Sequence, residues 1–114
     1  MNKMIVLALC LLASFPAVAV TETNKTIVSM GVQDTASSGG GSGVSQAYVI
    51  LSPALTANCV YGIAYIKDLS TPGGTALLSV LQKAYSLAKP LSRIDYDRDG
   101  TTGQCFISLL EVGK

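Results

Sequence analysis

The stretch TALLSVLQKAYSLAKPLSRIDYD, Thr75 to Asp97, changes its period once, and that change decides the fold. In its first part Leu77, Leu78, Leu81, Ala84, Tyr85 and Ala88 recur at the spacing of one face of an α-helix. Ser79, Gln82, Lys83 and Ser86 fall mostly elsewhere. Lys83 and Lys89 stand near the C-terminal end, where the helix dipole favours cations. Pro90 stops the helix. The pattern predicts a helix of about fourteen residues starting at Thr75. From Leu91 the period becomes two. Ile94 and Tyr96 share one face, Arg93, Asp95 and Asp97 share the other, and Leu91 is off phase.

Upstream, STPGG (Ser70–Gly74) breaks the pattern, and before it CVYGIAYI (Cys59–Ile66) reads as a strand. Alternation would put Cys59, Tyr61, Ile63 and Tyr65 on one face and Val60, Gly62, Ala64 and Ile66 on the other. SQAYVILS (Ser45–Ser52) reads as a further strand. Ala47 to Ile66 carries no charge over twenty residues, long enough to cross a bilayer. Ser52-Pro53, Thr56 and Asn58 interrupt it, so two strands joined by a turn fit better than one helix. TIVSMGVQ (Thr26–Gln33) is the first strand, with Gly31 suggesting a bulge. DTASSGGGSG after it contains the flexible Gly/Ser loop 36–43. Downstream, Asp99-Gly100 signals a turn and QCFISLLEV (Gln104–Val112) is the last strand.

The order is therefore β-β-β-α-β-β. The chain is expected to be mainly β with one helix (α+β), in the order of a five-stranded OB-fold barrel.

Residues 1–19, MNKMIVLALCLLASFPAVA, read as a signal peptide: Lys3, an apolar run Met4–Ala13, Pro16, then Ala17-Val18-Ala19. Cleavage is expected after Ala19, leaving residues 20–114 as a single OB-fold-like domain with no membrane span, periplasmic or secreted from a bacterium. Losing Lys3 leaves seven basic and seven acidic residues, a net charge of zero. Nucleic acid is excluded as a partner on that ground, because its binders need a basic excess. Two cysteines remain, Cys59 and Cys105, and an oxidising compartment favours their pairing. In the OB order strands three and five run side by side in parallel, and these cysteines open those strands, so a disulfide fits.

The chain has no histidine, which removes Ser-His-Asp and Cys-His catalysis, and a zinc site would lack imidazole. Neither an enzyme nor a cofactor is expected. DYDRDG (Asp95–Gly100) begins like a calcium loop, with Asp95, Asp97 and Asp99 at alternate positions before a glycine. Phe106 stands where the twelfth-position glutamate should be. A strand ending in an Asp-Gly turn with a solvated charged face is the competing reading. For binding, OB-folds tend to use the faces of strands two and three with the loops after strands one and four. Here that selects Tyr48, Tyr61 and Tyr65, flanked by the 36–43 and 97–103 loops. Tyrosine suits a sugar ring, offering a flat apolar face and a hydroxyl. The same rings could instead cover the core or a subunit contact.

From Asn58 to Val112 the runs NCVYGIAYIKDL, ALLSVLQKAYSLAKPLSRIDY and CFISLLEV resemble small exported bacterial toxin B subunits, those of subtilase cytotoxin and typhoid toxin. The resemblance covers about half of the chain and implies an OB-fold subunit, association into a homo-oligomeric ring and glycan binding at host surfaces. It carries over no sugar-contacting residue. The alternative is a structural or inhibitory periplasmic protein whose partner is another protein.

Overall fold

The computed structural model describes residues 18–34 and 45–113. Of the signal-peptide reading, residues 1–17 lie outside the described residues, as does the Gly/Ser loop 36–43. The strands are β1 (Val18–Asp34), β2 (Ser45–Ser52), β3 (Ile63–Ile66), β4 (Leu91–Arg98) and β5 (Cys105–Val112), with one helix, α1 (Pro72–Ser86), between β3 and β4. The sheet closes into a ring in the order β1-β2-β3-β5-β4.

Closure depends on the length of β1. Its first half, Val18 to Lys25, pairs antiparallel with β4, and its second half, Thr26 to Asp34, pairs antiparallel with β2. One strand thus serves two neighbours. The expected strand began only at Thr26, because TETN before it is polar and lacks alternation. Pairing on β4 recruits that segment regardless, and the expected cleavage point after Ala19 falls two residues inside β1. The break in β1 is also not where glycine suggested. The register shifts between Ile27 and Ser29, past Val28, whereas Gly31 pairs regularly with Tyr48.

Cys59 to Gly62 is not strand. Val60–Gly62 forms a single 3-10 turn, and β3 has only four residues. The alternation expected from Cys59 through Tyr65 therefore fails, and Cys59, Tyr61 and Tyr65 do not share a face. The uncharged twenty-residue run does resolve into β2, an irregular connection and β3. Among the described residues no helix is long and apolar enough to cross a membrane.

The helix starts three residues before the expected Thr75. Thr71 caps it, its Oγ1 accepting from the Gly74 amide at 3.0 Å, and Pro72 occupies the first position, where its missing N–H costs nothing. It ends at Ser86. Ala88 takes a left-handed φ of 53°, Lys89 N donates to Ala84 O at 2.9 Å and Ala88 N to Tyr85 O at 3.1 Å, a Schellman closure. Ala88 is thus past the helix, and Tyr85 is half exposed rather than buried.

β3 and β5 run parallel but pair only at Ala64↔Cys105 and Tyr65↔Phe106. Beyond that the two strands part, and α1 packs on β5 and β3 over the gap. Leu81 and Ala84 of α1 join Val49, Leu51, Ala64, Ile66, Leu91, Ile94, Tyr96 and Ile107 in the core. Truncating the fully buried Leu81 to Ala should cost about 3 kcal/mol. Leu91, off phase by sequence, points inward because the β4–β5 register shifts between it and Arg93.

Candidate functional site

Alternation along the strands lays an aromatic row on the outside of the ring. In β2, Ala47, Val49 and Leu51 are buried, which turns Tyr48 outward. In β3, Ala64 and Ile66 go in and Tyr65 goes out. In β5, Cys105 and Ile107 go in and Phe106 goes out. The register then aligns them: Tyr48 opposite Tyr65, Tyr65 opposite Phe106, Phe106 opposite Asp97. The Tyr65 and Phe106 ring centroids are 6.3 Å apart and tilted by 47°, inside the range of favourable aromatic pairs. Lys67 Nζ stands 5.4 Å from the Phe106 centroid, a cation–π distance. Tyr48 crosses the backbone of Gly31, where a Cβ would lie 2.5 Å from its Oη and 2.6 and 2.7 Å from two of its ring carbons. Only glycine lets the ring lie there. Tyr65, flanked on both sides, is only 8% exposed. Burial pushes its phenol up, and Tyr61 nearby adds to the shift.

Tyr61 is held differently. It is 84% exposed and sits at φ 58°, between Asn58 at φ 58° and Gly62 at φ 68°. For a bulky L-residue that conformation costs about 1–2 kcal/mol. The surroundings impose it. Cys59 is bonded to Cys105, with 5.5 Å between their Cα atoms. Val60 N donates to Gly103 O at 2.8 Å, Gly62 N to Cys59 O at 2.9 Å, and Arg98 Nε to Asn58 O at 3.1 Å. A non-glycine residue forced into a left-handed turn while its ring faces solvent is the sort of local strain that accumulates at functional sites.

The three aspartates are spread out rather than gathered. Asp95 takes a bidentate contact from Arg93, at 3.0 and 2.9 Å, and these hydrogen bonds hold its carboxyl below the usual range. Asp97 lies beside Phe106 on the outer face. Asp99 accepts from the Thr101 amide at 2.8 Å and the Thr102 amide at 3.3 Å, which fixes the turn and lowers its carboxyl. Among the described residues no group of three His, Cys, Asp or Glu could hold a metal ion. The local partners are those of an Asp-closed turn at the end of a strand.

A second cluster was invisible to sequence reading. Asn24, at φ 57°, breaks the alternation of β1 and brings both Glu22 and Lys25 inward. Lys25 is 6% exposed and pairs with Glu22 at 3.0 Å. Tyr96 Oη donates to Glu22. Thr56 N donates to the same carboxylate at 3.0 Å, Lys25 Nζ to Ala54 O at 3.2 Å, and Ala57 N to Tyr96 Oη at 3.3 Å. Burial raises the Glu22 carboxyl, but the bonds from Tyr96, Thr56 and Lys25 outweigh it and leave it below its ordinary value. Burial, then Glu22, push the Tyr96 phenol up to about 12. The cluster pins the connection after β2.

Of the expected binding residues, Tyr48 and Tyr65 share the outer row and Tyr61 projects close to it, while the 36–43 loop lies outside the described residues. Phe106, Gly31 and Lys67 were missed. Phe106 was recoverable from the in-out-in pattern Cys105-Phe106-Ile107; Gly31 and Lys67 act through pairing and leave no local signal. Chemically, Tyr48 and Phe106 are partly open to solvent, Tyr65 is almost covered between them, Tyr61 leaves most of its ring and phenol hydroxyl exposed, and one cation, Lys67, stands beside the row. In comparisons with known proteins, the chain matches no family model, no curated protein and no solved structure.

Proposed function

We propose that this chain is an exported, disulfide-stapled OB-fold module that binds a glycan on the outer face of β2, β3 and β5 and performs no catalysis. The carrying observation is the row Tyr48-Tyr65-Phe106 with Tyr61 projecting beside it from a strained turn. Sugar rings stack on such faces while phenol hydroxyls take their polar groups. Ring order β1-β2-β3-β5-β4 with a helix between β3 and β4 supports the OB-fold reading. The disulfide supports export to an oxidising periplasm or the exterior. The toxin B-subunit resemblance adds ring-forming association to the proposal.

The test is a glycan panel probed with the oxidised protein. Saturable binding is expected, weakened about tenfold by Tyr61→Ala and by Tyr48→Ala, the size of one lost stacking contact. Absence of saturable sugar binding, together with a protein captured on the same face, would replace this reading with the structural or inhibitory one. Light scattering tests assembly separately: a closed ring supports the B-subunit likeness and a monomer removes it.

A further inference from the structure

At the opposite end of β5 from Phe106, the cover provided by α1 is incomplete. β5 has β4 along one side, and past Phe106 no strand pairs on its other side among the described residues. Between the second half of α1 and the last residues of β5 a trough of about 510 Å³ stays open. Val80, Ala84 and Leu87 form one wall, Leu110 and Val112 the other. Leu87 remains 54% exposed.

The rim is positive. Lys83 and Lys89 line it, and neither takes part in the ion pairs Lys25–Glu22 and Arg93–Asp95. The one carboxylate at the trough, Glu111, accepts from Ser92 Oγ at 2.9 Å and lies within electrostatic reach of Arg93, so its charge is engaged toward β4. The helix dipole accounts for a cation in the last turn, Lys83, but not for Lys89, three residues past the end of α1.

We infer that this trough binds a single-chain anionic amphiphile, a fatty-acid-like carboxylate, with its chain between α1 and β5 and its head at Lys83 and Lys89. Size favours this over a peptide. The wall from Val80 to Leu87 spans about 10 Å at the helical rise, far short of a standard protein interface. The volume falls in the range of small-molecule sites. Charge selects the head group, because a cationic amphiphile would meet two lysines.

The experiment titrates isotope-labelled, oxidised protein with decanoate below its micelle concentration and follows backbone amide shifts. Expected are saturable one-site shifts at 80–89 and 110–113, with decyltrimethylammonium at least about tenfold weaker. Lys83→Glu with Lys89→Glu should weaken decanoate by about tenfold or more. Leu87→Asp, at an exposed position that leaves the core intact, should do the same. Equal affinity for the cationic amphiphile, shifts confined to the Tyr48–Tyr65 face, no shifts at all, or unchanged binding in the lysine variant would each overturn the assignment. So would self-association that protects the same residues without decanoate. None of these results depends on whether the aromatic face binds a sugar.

Discussion

Two fastenings hold the connection between β2 and β3, and they are built on opposite principles. Residues 54–57 are tied down by buried charge: Glu22, Lys25 and Tyr96 reach up from β1 and β4, and among the described residues no buried side-chain polar atom lacks a partner. Residues 58–62 are tied down covalently and from outside, by the Cys59–Cys105 bond, Arg98 and Gly103, and what they hold is a strained, exposed Tyr61. The first fastening hides its polar groups and serves stability. The second tolerates unfavourable backbone to display a ring. That contrast is the physical ground for looking for function at Tyr61 rather than at Glu22.

The largest effect should come from cutting the covalent fastening. Cys59→Ala with Cys105→Ala reopens a 46-residue separation in the unfolded chain, worth about 4 kcal/mol in the chain-entropy model. Denaturant unfolding of the variant against the oxidised protein measures it. A loss under about 1 kcal/mol would mean that the hydrogen bonds alone secure the turn.

Next is the buried fastening. Glu22→Gln leaves the Lys25 ammonium buried without its counter-charge, and about 3 kcal/mol should be lost. The pH dependence sharpens this. The folded Glu22 carboxyl lies below its ordinary value, so its contribution is fully present above about pH 4.5 and is lost as pH falls through the folded value. The wild type should therefore lose more stability than Glu22→Gln between pH 5 and 3. Asp68, Asp95 and Asp99 are also lowered, but they remain in both proteins and cancel in the difference. At the alkaline end Tyr96, pushed up to about 12, keeps its proton after the unfolded phenol has lost it. Its contribution should fade as pH rises from about 10 toward 12. Equal acid sensitivity in the two proteins would show that the cluster is not a stabilising fastening.

These two regions also mark where sequence reading works. β2 emerges with its bounds intact, because SQAYVILS alternates and is flanked by breakers. The period change at Lys89-Pro90 locates α1 and β4, and the element order locates the ring. The cysteine pair follows from count and compartment. What escapes is long-range. The Glu22 cluster escaped because Tyr96 lies 74 residues away and Asn24 turns the chain unexpectedly, bringing Glu22 and Lys25 to the same side. Tyr61 was read as strand because its neighbours are β-prone; the turn is imposed by the disulfide and by Gly103, neither of which is local. The face shared by Tyr48, Tyr65 and Phe106 was half legible: each residue's alternation shows in the sequence, but their alignment needs the register.

The smallest expected effect separates the two fastenings most sharply. Tyr61→Asn places at φ 58° a residue that accepts the left-handed region far better than tyrosine. The ring it removes is 84% exposed, so little burial is lost. If the turn is strained for display, the variant should be more stable than the wild type by about 0.5–1 kcal/mol while losing ligand binding. The opposite sign would place Tyr61 with Glu22 among the residues that hold the fold, since a stabilising ring cannot be one displayed at a cost. Unfolding curves alone give that sign before any ligand is in hand. A gain in stability would identify Tyr61 as the first residue to vary in a binding screen, because selection for stability alone would have placed asparagine or glycine there.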